Sequence, residues 1–300
     1  MSSSPSIAPL PTKLVSIKEM RANIAAFRRK NPDAAVGFVP TMGALHAGHL
    51  TIVTQAKIEC DYVVASLFVN PAQFAANEDY DIYPRPIEED MKLLGQEGVD
   101  AVFVPTTQEI YGDKNALEEG TAVEVRGLSH QLEGAIRPHF FRGVATVVSK
   151  LLNIVQPDFI YLGQKDAQQA VVVRNMIKDM HIPSELRVIQ TVREKDGLAM
   201  SSRNAYLNEA QRAIAPLLYQ AMGEALRLYV HEKERSTKVL LDAVKDYIRE
   251  NGNELTELQY ISINDTESLY EVETIGKQGA LLSGALLLGE IRIIDNIILR

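Results

Sequence analysis

Two histidines three residues apart, His46 and His49, close the stretch Thr41-Met42-Gly43-Ala44-Leu45-His46-Ala47-Gly48-His49. The apolar run from Val36 to Pro40 before them reads as a buried strand, and the pattern from Leu45 to Cys60 as a helix. Positions three apart share a helix face, which puts both imidazoles on the first turn. Open backbone N–H groups and the positive dipole end favour an anion there, phosphate above all. Gly43 would let the backbone approach such a ligand closely, and Gly48 would keep the surface between the rings bare. Three more polar clusters follow apolar runs: Asn70 to Gln73, Gly163 to Gln169, and Met200-Ser201-Ser202-Arg203 after the run ending at Val192. Lys165 could place a mobile positive charge on a phosphate, with Asp166 accepting from ribose hydroxyls. Ser201 to Arg203, behind a loop expected to flex at Gly197, suit a clamp on a triphosphate. Gln73 and Gln169 can bind a small polar substrate carrying hydroxyl and carboxylate groups. The plainer alternatives stay open: a structural histidine pair, a solvated Lys165–Asp166 pair, a turn cap at Ser201 and surface amides. Zinc is disfavoured, because no further Cys or His stands at ligand spacing.

These groups need a frame, and the pattern of elements supplies one. Ser16-Ile17-Lys18-Glu19 is a capping box, and Ile17, Met20 and Ile24 carry one apolar stripe to a stop at Asn31-Pro32. Strands are expected at 36–40, 62–69, 100–104, 158–163 and 185–192, with helices at 45–60, 87–97, 142–155 and 164–180. Strands that are apolar on both faces and alternate with helices imply a parallel sheet covered by helices. Ligands bind such sheets at the carboxyl ends of the strands, where all four polar clusters fall. Residues 105–138 show no period and read as short strands and loops at the sheet edge. Beyond Val192 come two long helices, near 209–231 and 237–250, and then strands at 258–263, 279–288 and 291–298. Gly289-Glu290 joins the last two strands as a type II′ turn would. A domain boundary is placed near residue 190, giving units 1–189 and 190–300, with residues 1–12 as a disordered tail.

Composition narrows the function. Thirty-one basic and 39 acidic residues leave a formal charge of −8, which argues against a broad nucleic-acid surface. The single cysteine, Cys60, cannot form an internal disulfide and reads as a half-buried, inert thiol. No apolar run reaches membrane-spanning length and the N-terminus lacks the regions of a signal peptide, so a cytoplasmic protein is expected.

Pro40 to His49, Phe68 to Phe74, Gly163 to Gln169 and Met200 to Asn204 resemble, in order and interval, the pantothenate synthetase (pantoate–β-alanine ligase) family. The likeness runs from about residue 13 to the Ile294-Asp295-Asn296 region. That family belongs to the nucleotidyltransferases that share His-x-x-His with some aminoacyl-tRNA synthetases. The resemblance implies an α/β fold: a Rossmann-like parallel-sheet nucleotidyltransferase domain with a smaller α+β C-terminal lid domain. It implies the joining of pantoate to β-alanine with ATP, through a pantoyl-adenylate, releasing pyrophosphate and then AMP. By the same likeness, Met42, Gly43, Ala44, Leu45, His46, Ala47, Gly48 and His49 line the ATP site together with Gly163, Gln164, Lys165 and Asp166. His49 takes a general-acid role, and His46, Lys165 and Arg203 offset charge on the phosphates. The Val192 backbone meets adenine, and Met200, Ser201, Ser202 and Arg203 close over the phosphates. Gln73 and Gln169 hold pantoate, with Gln73 also near β-alanine, Asn70 beside it, and Arg137 adding a phosphate contact. Mg²⁺ is implied on the phosphates, with Asp90 as a protein-side partner, and so is a homodimer without nucleic-acid or membrane partners. Two departures stand out. The family commonly shows Arg-Pro-Gly-His-Phe-Arg-Gly where this chain has Arg137-Pro138-His139-Phe140-Phe141-Arg142-Gly143, and Glu89 stands where some relatives have Asp. Other readings are a different adenylyl- or cytidylyltransferase, or a nucleotide-binding regulator without catalysis. Lys165, Ser202 and Arg203 weigh against the regulator.

Overall fold

The computed structural model describes residues 9–75, 78–115 and 118–300. The chain opens with β1 (Thr12–Leu14), α1 (Ile17–Lys30), β2 (Val36–Thr41), α2 (Ala47–Glu59) and β3 (Tyr62–Leu67). Next come α3 (Ile87–Gln96), β4 (Ala101–Phe103), α4 (Thr107–Tyr111), α5 (Glu133–Ile136) and α6 (Phe140–Val155). β5 (Phe159–Gly163), α7 (Ala167–Asp179) and β6 (Glu185–Ile189) follow. The C-terminal part holds α8 (Glu209–Ile214), α9 (Leu217–His231), α10 (Thr237–Asn251), β7 (Thr256–Asn264), β8 (Ala280–Leu288) and β9 (Ile291–Leu299).

Six strands form one parallel sheet in the order β1-β4-β3-β2-β5-β6. The chain runs outward from β2 through β3 to β4, then returns to pair β5 on the other side of β2. The strand order therefore reverses between β2 and β5, where sheets of this kind bind ligands. Successive residues of a strand point to opposite faces. Phe38 joins Val64, Phe103 and Ile160 under α1, α6 and α7, while Val39 joins Val63, Ala65 and Tyr161 under α2 and α3. Burial of both faces is why these strands read as unbroken apolar runs. The expected α6 stripe of Val144, Val147, Val148, Leu151, Leu152 and Val155 is buried throughout. Ser16 caps α1 as expected: its Oγ accepts from the Glu19 amide at 3.2 Å, and the Glu19 carboxylate accepts from the Ser16 amide at 3.0 Å.

Strands β7, β8 and β9 make a separate antiparallel sheet. Leu282, Leu286 and Leu288 pack with α9 and α10, whereas Leu281 joins the core of the parallel sheet. The small sheet thus has helices on one face and the first unit on the other. Gly289, at φ +62°, turns β8 into β9. No helix among the described residues is long and apolar enough to cross a membrane.

Several expectations need correction. A strand precedes α1: β1 spans three residues at the sheet edge, too few to show a period. Residues 1–8 of the expected tail lie outside the described residues, and Thr12 of that tail is already paired with Ala101. The described residues of 105–138 hold no strand but the short helices α4 and α5 and a 3-10 turn at Leu128–His130, with Gly112, Gly120 and Gly127 at positive φ between them. The helix expected over 209–231 breaks between α8 and α9, where Pro216 has no N–H to continue it. Strands β3 and β6 end at Leu67 and Ile189, short of the expected Val69 and Val192.

Candidate active site

The carboxyl ends of β2, β3, β5 and β6 and the chain after residue 190 enclose one cavity of about 1160 Å³. The β2–α2 turn forms one wall. Thr41 Oγ1 donates to the Ser66 carbonyl at 2.7 Å and accepts from the Gly43 amide at 3.2 Å. Gly43 at φ +86° and Ala44 at φ +51° swing the chain round. The Asp90 carboxylate then accepts from the amides of Ala44 and Leu45 at 2.9 and 2.8 Å. A Cβ on Gly43 would sit 3.0 Å from Asp90 Oδ2. This glycine therefore serves the turn and its anchor. Asp90 is 2% exposed and lies outside the cavity wall. Burial raises its pKa, opposed by the two amide bonds. Its carboxylate holds the loop, so the expected metal contact at Asp90 does not fit.

His46 is the N-cap of α2 rather than a member of its first turn. Its Nδ1 accepts from the Gly48 amide at 3.2 Å, and His49 Nδ1 accepts from the His46 amide at 3.4 Å. The two ring centroids are 4.1 Å apart. A nitrogen that accepts carries no proton, so each neutral ring bears its proton on Nε2. Burial and then the Lys165 charge push the His46 pKa down to about 4. Burial, then His46 and Lys165, push that of His49 down to about 3. Near neutral pH both rings are uncharged N–H donors. The backbone amides of residues 43–46 and 48 are already engaged by side chains. These five amides are therefore not open to an anion, and the imidazole Nε2–H groups are the donors left on this turn. Gly48 is needed because the His46 ring lies over it: a Cβ there would meet Cε1 at 2.9 Å.

At the end of β5, Lys165 and Asp166 line the cavity as an ion pair 3.7 Å apart. Gln169 lines it too, as does its buried neighbour Gln168, whose amide is spent donating to the Leu128 and Gln131 carbonyls and accepting from the Glu133 amide. After β3, Asn70 is a brace and not a cavity residue. Its Oδ1 accepts from the Ala72 amide at 3.3 Å and from the Tyr111 hydroxyl at 2.7 Å. Its Nδ2 must then donate, to Gln73 Oε1 at 3.0 Å and the Gly143 carbonyl at 3.1 Å. With that oxygen engaged, Gln73 has its NH₂ to offer a ligand. Gly143 brings α6 against this turn so closely that a Cβ would lie 2.0 Å from the Ala72 carbonyl oxygen.

Two arginines on the wall are held by adjacent acids that sequence reasoning did not single out for this. Arg137 grips Glu78 through Nε and Nη2 at 2.7 and 2.6 Å, and lies 3.9 Å over the Phe140 ring. Phe140, in the motif that departs from the family pattern, thus stacks on Arg137, while His139 is exposed at the rim. Arg203 grips Asp79 through Nε and Nη2 at 3.1 and 2.9 Å. Burial raises the Asp79 pKa, but Arg203 outweighs it and holds the carboxyl below its usual value. Tyr83 and Ser202 share a hydroxyl bond of 3.1 Å. The segment leading to Arg203 is tied to its surroundings at several points. Arg193 donates to the Gly197 carbonyl at 3.0 Å, and a Cβ on Gly197 would strike Tyr219 at 2.6 Å. The Val192 carbonyl accepts from the Met200 amide at 3.0 Å.

The cavity wall therefore gathers Met42, His46, Gly48, His49, Gly163, Lys165, Asp166, Val192, Met200, Ser201, Ser202 and Arg203, with Gln73, Gln169 and Arg137. Gly43, Ala44, Leu45, Ala47, Gln164, Asn70 and Asp90 stand outside it. Among the described residues no group of three or more His, Cys, Asp or Glu could hold a metal ion. The cavity offers N–H donors and cations suited to phosphates, and amides suited to a polar acid.

Known proteins resemble this chain over nearly its whole length. The family described as pantoate-beta-alanine ligase matches residues 13–298. The pantothenate synthetase of Herpetosiphon aurantiacus is 46% identical over 289 residues, covering 95% of this chain and 99% of that protein. The crystal structure of pantothenate synthetase from Thermus thermophilus superposes with a TM-score of 0.87 at 40% identity, over 95% of this chain and 98% of that one. The pantoate-beta-alanine ligase of Francisella tularensis, complexed with beta-gamma ATP and beta-alanine, superposes with a TM-score of 0.76 at 31% identity, over 96% and 97%. A match along nearly the whole chain, at these identities, makes this protein a member of the pantoate–β-alanine ligase family.

Proposed function

We propose that this chain joins pantoate to β-alanine with ATP through a pantoyl-adenylate, releasing pyrophosphate and then AMP. The observation that carries this is one cavity in which His46, His49, Lys165 and Arg203 stand with the amides of Gln73 and Gln169. The Francisella tularensis relative, complexed with beta-gamma ATP and beta-alanine, supports the same assignment.

The pantoate carboxylate is ionised at neutral pH, so no base is needed for its in-line attack on the α-phosphorus. The bond from that phosphorus to the bridging oxygen breaks, and negative charge moves onto pyrophosphate. Lys165 and Arg203 offset it as cations, and His46 and His49 donate hydrogen bonds from Nε2. With its pKa lowered to about 3 in the protein alone, His49 enters as a hydrogen-bond donor through Nε2; acting as a general acid would require the bound phosphates to raise that value. In the second step the neutral β-alanine amine attacks the activated carbonyl, AMP departs and the ammonium proton is lost. Holding the amine beside the carbonyl is chiefly an orientation effect. Residues 190–300 act as a lid that keeps water from the adenylate. Asp166, the carboxylate beside Lys165 on the wall, would hold Mg²⁺ together with the phosphates, and the ion would supply further positive charge there. A cytoplasmic homodimer completes the proposal, and light scattering of the purified chain tests the dimer.

The deciding experiment follows AMP release with ATP, pantoate and β-alanine, omitting each in turn. AMP and an amide product are expected only when all three are present. A nucleotide conjugate as the final product would make the chain a nucleotidyltransferase instead, and ATP binding without pyrophosphate release would make it a regulator.

A further inference from the structure

We infer that Asn296, on β9 of the C-terminal sheet, is a positioning residue for Lys165; this rests on the proposal that Lys165 faces the phosphates. Asn296 is 3% exposed. Its Nδ2 donates to the carbonyls of both Gln164 and Lys165 at 2.9 Å each, and its Oδ1 accepts from Gln164 Nε2 at 3.3 Å. One carboxamide thus grips the peptide units on both sides of the lysine, at the 3-10 turn Gln164–Asp166. The ammonium itself is restrained only loosely, by Asp166 at 3.7 Å. What fixes the lysine is therefore its backbone, and Asn296 holds that backbone.

The grip is anchored from behind. Asp295 accepts from the Asn296 amide at 2.7 Å and takes Arg193 through both oxygens, at 2.6 and 2.9 Å. Arg193 lies 3.6 Å over the Tyr219 ring. Asn296 cannot shift with the turn without breaking this chain of contacts. The chemistry also selects an amide: two N–H donors and one acceptor in a plane satisfy two carbonyls and one NH₂ at once. A carboxylate there would face two carbonyl oxygens, and an apolar side chain would leave them unpaired. Displacing a catalytic charge by about 1 Å can cost on the order of 10²-fold in rate.

A double-mutant cycle on the full chain tests this, read as pantoate-dependent exchange of pyrophosphate into ATP. Wild-type exchange is measured first; its absence would defeat the proposed function rather than this inference. Asn296→Ala is expected to slow exchange by roughly 30-fold or more, with the KM for pantoate within about twofold of wild type. In a Lys165→Ala background the same change should cost less than about threefold, because no ammonium remains to be misplaced. Asn296→Ser, whose hydroxyl can reach one carbonyl, should fall between. A residue that merely holds the fold together would cost the same factor in both backgrounds. Equal factors, a wild-type rate in Asn296→Ala, or failure of both the Ala and Ser variants to fold overturns the inference.

Discussion

Substituting His49→Gln removes a ring whose protonation the fold resists, and the effect should appear in how stability depends on pH. In the unfolded chain a histidine titrates near 6.5, while burial beside His46 and Lys165 lowers the folded value to about 3. Below pH 6.5 the unfolded chain binds a proton that the folded chain refuses. Stability contributed by this site is therefore complete above about 6.5 and is lost as the pH falls toward about 3. Each pH unit in that window costs about 1.4 kcal/mol, so moving from pH 7 to pH 5 costs about 2 kcal/mol. Gln keeps an oxygen that can accept from the His46 amide but carries no titrating group. Urea unfolding followed by circular dichroism at pH 7 and pH 5 measures the difference. Wild type should lose about 2 kcal/mol more than the variant between the two conditions. Parallel losses would show that His49 protonates in the folded state like any exposed imidazole. The neutral-donor argument for both histidines would then fail.

Lys165→Ala should cut turnover by about 10²–10³-fold, or 3–4 kcal/mol, with an unchanged melting temperature; near-wild-type kcat would remove the lysine from the phosphate site. Asp79→Asn should lower the KM for ATP about fivefold, since a partly exposed pair worth about 1 kcal/mol no longer competes for Arg203. A higher KM would mean that Asp79 aims Arg203 instead of occupying it. Gly143→Ala should destabilise the chain by about 1–3 kcal/mol, because the new carbon cannot share space with the Ala72 carbonyl. Thermal unfolding checks the loss, and a wild-type melting temperature would refute the close approach.

Much of the frame is legible because burial on both sheet faces leaves apolar runs that local patterns reveal, as in Tyr62 to Leu67 and Phe159 to Gly163. The four polar clusters can be assigned to one rim because each follows such a run. The use of the individual groups is harder to read. The amides of Ala44 and Leu45 are consumed by Asp90, 46 and 45 residues away in sequence. Arg137 and Arg203 meet acids 59 and 124 residues distant. Pairings of that kind depend on tertiary placement, which periodicity does not carry. The region 105–138 misleads because α4 stops at Gly112 after five residues and α5 has only four, before any period accumulates. Asn70 sits in a recognisable cluster, but its partners Tyr111 and Gly143 come from elements that no local pattern joins to it.

The carboxylates seated on the wall's cations bear on selectivity. Lys165 faces Asp166, Arg137 faces Glu78 and Arg203 faces Asp79, so an incoming anion meets no surplus of charge from these three and gains by exchange rather than by addition. Two of the pairs are forked, with each guanidinium bound through two nitrogens. A spherical anion such as chloride cannot match both prongs of either fork, whereas a polyphosphate chain brings enough oxygens to replace several carboxylates together. Halide ions would thereby be at a disadvantage against a ligand that offers paired oxygens.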